Sequence, residues 1–342
     1  MSVIGNDVQV RQLELARSGN QGAFEALIEP YRRELVAHCY RILGSFEDAE
    51  DMLQETFLRA WKHLDSFEGR SSLRSWLYRI ATNACLDGLD KRKRRGLPRD
   101  LYAHANPSQP LPAALQEATW VEPFLDEWID DQPDAYPEAR YDQRESITLA
   151  FVTALQILPG RQRAALLLRD VMGWSTEETA GILGMTVPAI NSLVERARLG
   201  LKGGRDLHSQ VINPTNEPYA TLLAHYVSAW EKADAAALVA TLREDIALTM
   251  PPLPVWFEGR TDVYNFLENG LFKRSEPVRV RLIPLLANGS PAFAIYQKDQ
   301  NEVFRAAGLH VLTIHDDKIA IIDDFLTSDN HLFNRFGLPL IV

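Results

Sequence analysis

Apolar residues recur at steps of three and four positions through most of the first 200 residues, which predicts helices. The stretch from 48 to 62 shows this best, because its apolar positions fall on one side of a helix. That side consists of Ala49, Met52, Leu53, Thr56, Phe57, Ala60 and Trp61. The other side is polar and mostly acidic: Asp48, Asp51, Gln54, Glu55, Arg59 and Lys62. We predict an amphipathic helix whose acidic face either binds a partner or is simply solvated.

A second helical region follows from Ile147 to about residue 203. Pro159 and Gly160 interrupt it once. Ser175 and Glu178 then form the pattern of a capping box, and the helix they open should end near Gly184. The next helix carries Pro188 in its first turn. Two helices joined by a short turn predict a helix-turn-helix unit.

From about residue 217 the pattern changes to helices followed by alternating strands. Helices are predicted at 219–230, 233–242 and 261–271, and strands at 246–250, 278–286, 292–297, 304–314 and 319–326. Turn residues such as Asn288 and Gly289 separate the strands. This order predicts an α+β cone with a curved antiparallel sheet.

The net charge of −10 is unusual for a chain that binds DNA by itself, because neutralised phosphates supply much of the affinity for duplex DNA. Basic residues are concentrated at 91–95. This run is either a contact for DNA phosphates or simply a charged helix end before a linker. Ten acidic and two basic residues lie between Glu117 and Glu145. We therefore expect weak DNA binding unless a partner supplies affinity.

Two features favour a cytoplasmic protein. No apolar run approaches the roughly 20 residues that span a bilayer, and the N-terminus does not resemble a signal peptide. Cys39 and Cys85 lie in apolar helical contexts and are expected to be buried thiols in a reducing compartment.

The stretch 96–140 is rich in Pro, Ala and acidic residues and is predicted to be a linker. Trp120, Phe124 and Trp128 recur at four-residue spacing within it. They form either a short helix that docks on a neighbouring domain or incidental aromatics in a flexible spacer.

The acidic helix, together with residues 66–83, resembles region 2 of a bacterial sigma factor of the extracytoplasmic-function (ECF) type. The helix-turn-helix, preceded by the sequence from Leu158 to Arg163, resembles region 4 of the same family. The C-terminal part resembles SnoaL-like (NTF2-like) domains, most clearly at 250–260 and 336–339. The resemblance implies a multidomain fold: two all-α sigma domains and an α+β NTF2-like cone. Its expected boundaries are 8–95 for region 2, 96–140 for the linker, 141–205 for region 4, 206–217 for a second linker and 218–342 for the cone.

The resemblance also implies partners and site residues, with core RNA polymerase (β′ and β subunits) and promoter DNA as partners. The expected polymerase contacts are Asp48, Asp51, Gln54, Glu55 and Arg59. The expected contacts to the −10 element, where a base is flipped from the non-template strand, are Phe67, Arg70, Ser71, Arg74, Trp76, Arg79, Asn83, Arg92 and Arg94. Trp76 is as well explained by burial in the core. The expected contacts to the −35 element are Pro188, Ala189, Asn191, Ser192, Glu195, Arg196 and Arg198, a set with fewer arginines than many relatives have.

The cone allows two interpretations of Trp230, Trp256, Tyr296, His310 and Asp324. They line a ligand pocket or, as we expect for each, they are ordinary core or satisfied polar residues. We expect no catalytic residue, metal or cofactor, and no dedicated anti-sigma factor, with the cone regulating in cis. Two other functions stay open: a sigma factor whose cone is an active isomerase or cyclase, and a helix-turn-helix regulator that works without polymerase.

Overall fold

The structure is a computed structural model that describes residues 3–89, 94–115, 120–128, 146–202, 214–273, 278–327 and 331–342. The chain divides into two compact units. The described residues of the helical unit fall within Met1–Arg94, Glu127–Tyr136 and Ala154–Arg205. Those of the C-terminal unit fall within Arg95–Asp126, Pro137–Thr153 and Asp206–Val342.

The helices up to residue 202 begin and end largely where the sequence signals them. They are α1 (Val3–Arg17), α2 (Gln21–Ile28), α3 (Arg32–Leu43), α4 (Phe46–Lys62), α5 (Leu73–Leu89), α6 (Pro98–Leu101), α7 (Leu149–Leu155), α8 (Gly160–Leu166), α9 (Thr176–Leu183) and α10 (Val187–Lys202). Short 3₁₀ turns lie at Glu29–Tyr31, Leu64–Ser66 and Asp126–Trp128, and α8 continues as a π-helical turn, Leu167–Val171.

Helix caps explain several of these boundaries. Ser45 accepts a hydrogen bond from the backbone of Asp48 and so starts α4, while Gly44 ends α3 in the left-handed conformation at φ 70°. The predicted capping box at Ser175 and Glu178 is present, and Gly184 ends α9 at φ 62°. The helix-turn-helix of α9 and α10 is therefore confirmed.

Within the described residues, the C-terminal unit contains four further helices and one six-stranded sheet. The helices are α11 (Tyr219–Lys232), α12 (Ala235–Ala240), α13 (Gly259–Asn265, continued by the π-helical turn Phe266–Phe272) and α14 (His331–Arg335). The strands are β1 (Leu242–Thr249), β2 (Trp256–Glu258), β3 (Val280–Ala287), β4 (Ser290–Lys298), β5 (Phe304–His315) and β6 (Lys318–Leu326). Their order is β2-β1-β6-β5-β4-β3, antiparallel except for the parallel pair β1–β6.

Both faces of this sheet are covered. On one face, side chains such as Phe293 and Leu312 join a core with Tyr226 and Trp230 of α11. On the other face, Tyr296 packs against Phe333 of α14, with ring centroids 5.3 Å apart. The predicted α+β cone is confirmed, although β2 was not predicted.

The residues between the sigma-like helices, 95–126, lie in the C-terminal unit; we call them the connecting segment. Trp120 and Phe124 are buried there. The predicted helix through them is wrong, since only Asp126–Trp128 form a turn of 3₁₀ helix. Backbone groups in this stretch form hydrogen bonds with distant residues instead of within a helix. Val121 N–H donates to Gly96 O at 3.0 Å, and Phe124 O accepts from Asn288 N–H at 2.8 Å.

Candidate nucleic-acid interface

The acidic face of α4 is partly available to a partner. Asp51 and Gln54 are exposed. Glu55 is half-buried and bonds to Arg59 Nε at 2.6 Å, one helical turn further on. Of the five predicted contact residues, Asp51 and Gln54 are therefore the most accessible to a partner.

Asp48 is not part of that exposed face. Its relative exposure is 9%, in the first turn of α4. A carboxylate is favourable at this place because the helix N-terminus carries partial positive charge. Asp48 is thus more buried than we expected for a polymerase contact, and that contact stays a prediction.

A pocket of about 580 Å³ opens between the end of α4, the following loop and α5. Six predicted −10 residues are brought together in its lining: Phe67, Arg70, Ser71, Trp76, Arg79 and Asn83. The rings of Phe67 and Trp76 lie 5.1 Å apart, which gives the pocket an aromatic wall. The two rings are tilted by 40°, and aromatic side chains beside several donors suit an unstacked base.

Six further residues line the pocket: Arg59, His63, Ser66, Glu68, Gly69 and Ile80. Arg59 was expected on the polymerase face, but the structure places it at the pocket, where it also pairs with Asp87 at 3.0 Å. Its hydrogen bond to Glu55 raises the pKa of Arg59, so its charge is fixed. The sequence could have indicated this position, because Arg59 lies in the last turn of α4, just before the loop that lines the pocket.

Arg74 does not line the pocket but packs in a neighbouring cluster, with 39% of its side chain exposed. Its Nε donates to Oε1 and Oε2 of Glu34 at 3.1 and 2.9 Å, and its Nη2 donates to Oε2 at 2.8 Å. It also lies over the rings of Tyr78 and Trp174, at 5.1 and 4.9 Å. Arg74 is thus engaged within region 2, and its contact with the −10 element stays a prediction. Arg94 is exposed, and Arg92 lies outside the described residues.

The second candidate surface lies on α10. Six of its seven predicted residues are exposed (Pro188, Asn191, Ser192, Glu195, Arg196 and Arg198), and Ala189 is half-buried. Asn191, Glu195 and Arg198 line a groove of about 460 Å³. Arg198 forms a two-pronged ion pair with Asp170, at 2.7 and 2.8 Å. That pairing reduces the cationic charge which α10 offers to DNA.

The candidate pocket of the cone comes together only in part. His310 packs on the ring of Trp230, 5.0 Å between centroids, and its Nε2 lies 3.5 Å from Asp324. Tyr226 hydroxyl is hydrogen-bonded to His310 Nδ1 at 2.8 Å, and burial raises the pKa of Tyr226 well above its usual value. All four side chains are buried.

The other two predicted pocket residues lie elsewhere in the same unit. Trp256 Nε1 donates to Tyr102 O of the connecting segment at 2.9 Å. Tyr296 hydroxyl donates to Pro339 O at 2.9 Å, on the opposite sheet face from His310 because strand side chains alternate. Grouping these two with His310 was therefore wrong.

Neither a metal site nor a membrane span is found in the described ranges. No group of three His, Cys, Asp or Glu side chains there is arranged to hold a metal ion. No helix in the part of the chain that the structure describes is long and apolar enough to cross a membrane.

Three family descriptions match the chain: Sigma-70 region 2 at residues 27–95, Sigma-70 region 4 at 148–201 and SnoaL-like domain at 223–322. The ECF RNA polymerase sigma factor SigG of Mycobacterium tuberculosis (strain ATCC 25618 / H37Rv) is 44% identical over 321 residues, which cover 93% of this chain and 85% of that protein. SigW of Bacillus subtilis (strain 168) is 28% identical over 56% of this chain and 94% of that protein.

A similar fold is present in the crystal structure of the extracytoplasmic function sigma factor SigJ of Mycobacterium tuberculosis. Its TM-score is 0.55 at 21% identity, with 92% of this chain and 99% of that chain covered. The chain belongs to the ECF RNA polymerase sigma factors. It carries a SnoaL-like domain behind regions 2 and 4, as the sequence predicted.

Proposed function

We propose that this chain directs core RNA polymerase to promoters, with its SnoaL-like domain regulating that activity in cis. The pocket beside α4 is the observation that carries the proposal. The helix α4, which we assign to polymerase binding, is followed directly by the loop and the helix α5 that line the pocket. Binding to the enzyme would therefore bring the pocket to the DNA. Such a subunit would act in the cytoplasm, where its polymerase is.

Polymerase binding is assigned to Asp51 and Gln54, with Glu55 in a lesser role. Their exposure on a capped helix supports this, since a carboxylate and an amide in fixed positions suit arginine donors on the β′ subunit. Glu55 is expected to matter less because Arg59 already engages it.

Promoter melting is assigned to the pocket. Arg70 and Arg79 are exposed and suited to phosphates, and Asn83 lies one helical turn from Arg79 on the same face of α5. Phe67 and Trp76 supply the stacking surface. Flipping a base costs a few kcal/mol, and stacking worth about 1–3 kcal/mol per base offsets much of it.

The −35 element is assigned to α10. Asn191 is suited to adenine and Arg196 to guanine or phosphate. Glu195 repels phosphate and Arg198 is paired with Asp170, so we expect this reading to be weak without the polymerase. The β subunit is the expected partner of this domain within the enzyme.

Regulation in cis is supported by the docking of the connecting segment within the C-terminal unit. Asn288 Oδ1 accepts from Phe124 N–H at 2.8 Å, and its Nδ2 donates to Ile147 O at 2.8 Å. Arg99 pairs with Asp323 at 2.6 Å, both buried. The domain thus holds the chain that joins region 2 to region 4, and we expect no dedicated anti-sigma factor.

The test of the sigma function is reconstitution of the full chain with core polymerase, followed by mapping of transcription starts. We expect discrete new starts that share −10 and −35 sequences. A gel shift on duplex DNA without core polymerase distinguishes a sigma factor from a regulator that binds DNA alone. We expect no shift, because the chain is acidic and binds duplex DNA poorly by itself. Duplex binding without core, together with no new starts, would refute the proposal.

Regulation is tested with Asn288→Gly, because truncation behind region 4 would also strip the connecting segment of its partners. Glycine tolerates the left-handed backbone at this position (φ 54°) and deletes only the amide. We expect transcription with core polymerase to change at least twofold. Arg335→Gln, which breaks the 2.8 Å pair with Glu122, serves as a second variant. Unchanged transcription by both would rule out regulation through this segment.

An enzymatic cone remains a second candidate because of the Tyr226–His310–Asp324 cluster. Substrate turnover abolished by His310→Gln, with transcription preserved, would support it. The burial of His310 (2% exposed) supports instead a structural role, in line with a regulatory domain.

A further inference from the structure

The helix α1 lies against the loop that lines the pocket beside α4. It contacts the 3₁₀ turn Leu64–Ser66, where that loop begins. Its last residue, Arg17, donates from Nη2 to Phe67 O. Arg17 precedes the residues that match Sigma-70 region 2, 27–95, and it is not among the residues that line the pocket. A helix outside the matched range therefore supports the pocket.

The backbone around Arg17 is fixed by the turn that joins α1 to α2. Arg17 ends α1, and Gly19 follows at φ 91°, with its N–H donating to Ala16 O at 3.0 Å. Asn20 then caps α2, because its Oδ1 accepts from Ala23 N–H at 2.9 Å. The side chain of Arg17 therefore extends towards the loop from a defined position.

The carbonyl that Arg17 binds belongs to the residue whose ring helps to form the aromatic wall. Phe67 N–H donates to Leu64 O at 3.1 Å, so both backbone polar groups of Phe67 are engaged. Its side chain is buried, with the ring 5.1 Å from that of Trp76. Two residues further on, Gly69 adopts φ 74°, and a Cβ there would meet nothing within 4 Å. Phe67 is therefore the point at which the loop is held before it extends into solvent.

The contact of Arg17 indicates how this exposed arginine acts. An arginine beside a DNA-binding pocket acts either through its charge on a phosphate or through a hydrogen bond that holds the protein. The second is favoured here, because the guanidinium is already engaged with Phe67 O. A binding surface that is ordered before its ligand arrives binds more tightly, since less conformational freedom is lost on binding. The hydrogen bond therefore favours stacking of a base on the ring of Phe67.

We propose that Arg17 is a positioning residue for promoter opening. It holds the backbone of the loop at Phe67, so that the aromatic wall is in place before a base leaves the duplex. Arg17 thus acts through Phe67 and not through a phosphate, in contrast to the role assigned to Arg70 and Arg79. The role in opening rests on the proposed sigma function, whereas the support of the loop is a property of the free chain and is tested there.

Hydrogen–deuterium exchange of the free, full-length chain tests the support of the loop. Arg17→Ala should speed exchange of the amides in residues 64–70 about fivefold, because the loop opens more easily without a hydrogen bond from a charged donor. Arg17→Lys keeps a charged donor and should restore most of the protection. Arg11→Ala, at another exposed arginine of α1, should leave exchange unchanged. Unchanged exchange in Arg17→Ala, or a rise that extends equally through α4 and α5, would overturn the proposal.

Promoter opening by the full chain with core polymerase tests the positioning. A 2-aminopurine at the flipped −10 position reports opening, because its fluorescence rises when the base leaves the duplex stack. Arg17→Ala should lower opening about fivefold, Arg17→Lys should restore it, and Arg17→Ala added to Phe67→Ala should cause no further loss. Additive losses, or a salt dependence reduced by about one phosphate contact in Arg17→Ala, would overturn the proposal. Faster loop exchange in Arg17→Ala together with no opening by the wild-type chain would instead refute the sigma function.

Discussion

The pocket of region 2 and the connecting segment on the SnoaL-like sheet use the same residue types in opposite ways. At the pocket, the side chain of Arg70 is 82% exposed. On the sheet, Arg99 and Asp323 are 6% and 1% exposed and bond to each other, with Thr249 as a further donor to Asp323 at 2.8 Å. The arginine at the pocket therefore remains accessible to a ligand, whereas the arginine on the sheet holds a chain segment through a buried partner.

The largest expected effect comes from removing the buried ion pair between Arg99 and Asp323. Asp323→Ala should lower the free energy of unfolding of the C-terminal unit by about 3–5 kcal/mol, because the buried guanidinium of Arg99 loses its 2.6 Å ion pair with Asp323. Urea unfolding followed by circular dichroism measures it. The double variant Arg99→Met with Asp323→Leu should recover most of the loss. A loss below about 1 kcal/mol for Asp323→Ala would contradict a buried, essential pair.

This pair also shows where sequence reasoning stops. The capping box, the glycine helix ends and the sheet could be predicted because their signals are local. Arg99 and Asp323 are 224 residues apart, and the stretch around Arg99 has no periodicity that points to a sheet. The three-residue strand β2 follows a proline-rich stretch and is too short for an alternating pattern to appear.

In the candidate site too, features with local signals could be predicted and contacts between distant residues could not. Arg79 and Asn83 were predicted at the pocket because helical spacing and the family motif agree. The burial of Asp48 and the partners of Arg74 were not predicted, because spacing gives a helix face but not the neighbour that covers it. Glu34 and Trp174, the partners of Arg74, lie 40 and 100 positions away in the chain.

The second prediction concerns the exposed side of the comparison. Arg79→Ala should weaken open-complex formation by about 1–3 kcal/mol, roughly fivefold to 150-fold, because a phosphate or base contact is lost. Binding to core polymerase should not change. Permanganate reactivity of unpaired thymines at the −10 element measures opening. Arg11→Ala, an exposed arginine on α1, is the control, and an equal loss in both variants would refute the assignment.

The third prediction uses a buried histidine of region 2. Burial lowers the pKa of His38 to about 3, and its Nε2 is hydrogen-bonded to Thr82 at 2.9 Å. The unfolded chain binds this proton near pH 6.5 and the folded chain does not, so stability falls as the pH drops from 6.5 towards 3. At pH 5.5 the loss from this group is about 1.4 kcal/mol.

Thermal unfolding between pH 7 and 5 tests this linkage. His38→Gln should flatten the pH dependence of the helical unit, while His225→Gln, at an exposed position of α11, should leave it unchanged. An identical pH slope in wild type and His38→Gln would contradict the burial of a neutral imidazole.

The smallest expected effect concerns the partly exposed ion pair on α10. Asp170→Ala should change stability by less than about 1 kcal/mol, because such surface pairs contribute little. It should slightly strengthen binding of the assembled holoenzyme to promoter DNA, since Arg198 is then released for phosphate. Filter binding at several salt concentrations measures this, and weaker binding would argue that Asp170 positions Arg198 for DNA.

The association of the full chain with core polymerase tests the central claim most directly. Asp51→Lys combined with Gln54→Lys reverses the exposed face of α4 without touching its cap or its buried side. The account predicts at least a tenfold loss of affinity, with the fold retained, and no loss for the control Glu14→Lys on α1. Wild-type affinity of the double variant for core polymerase would contradict the account.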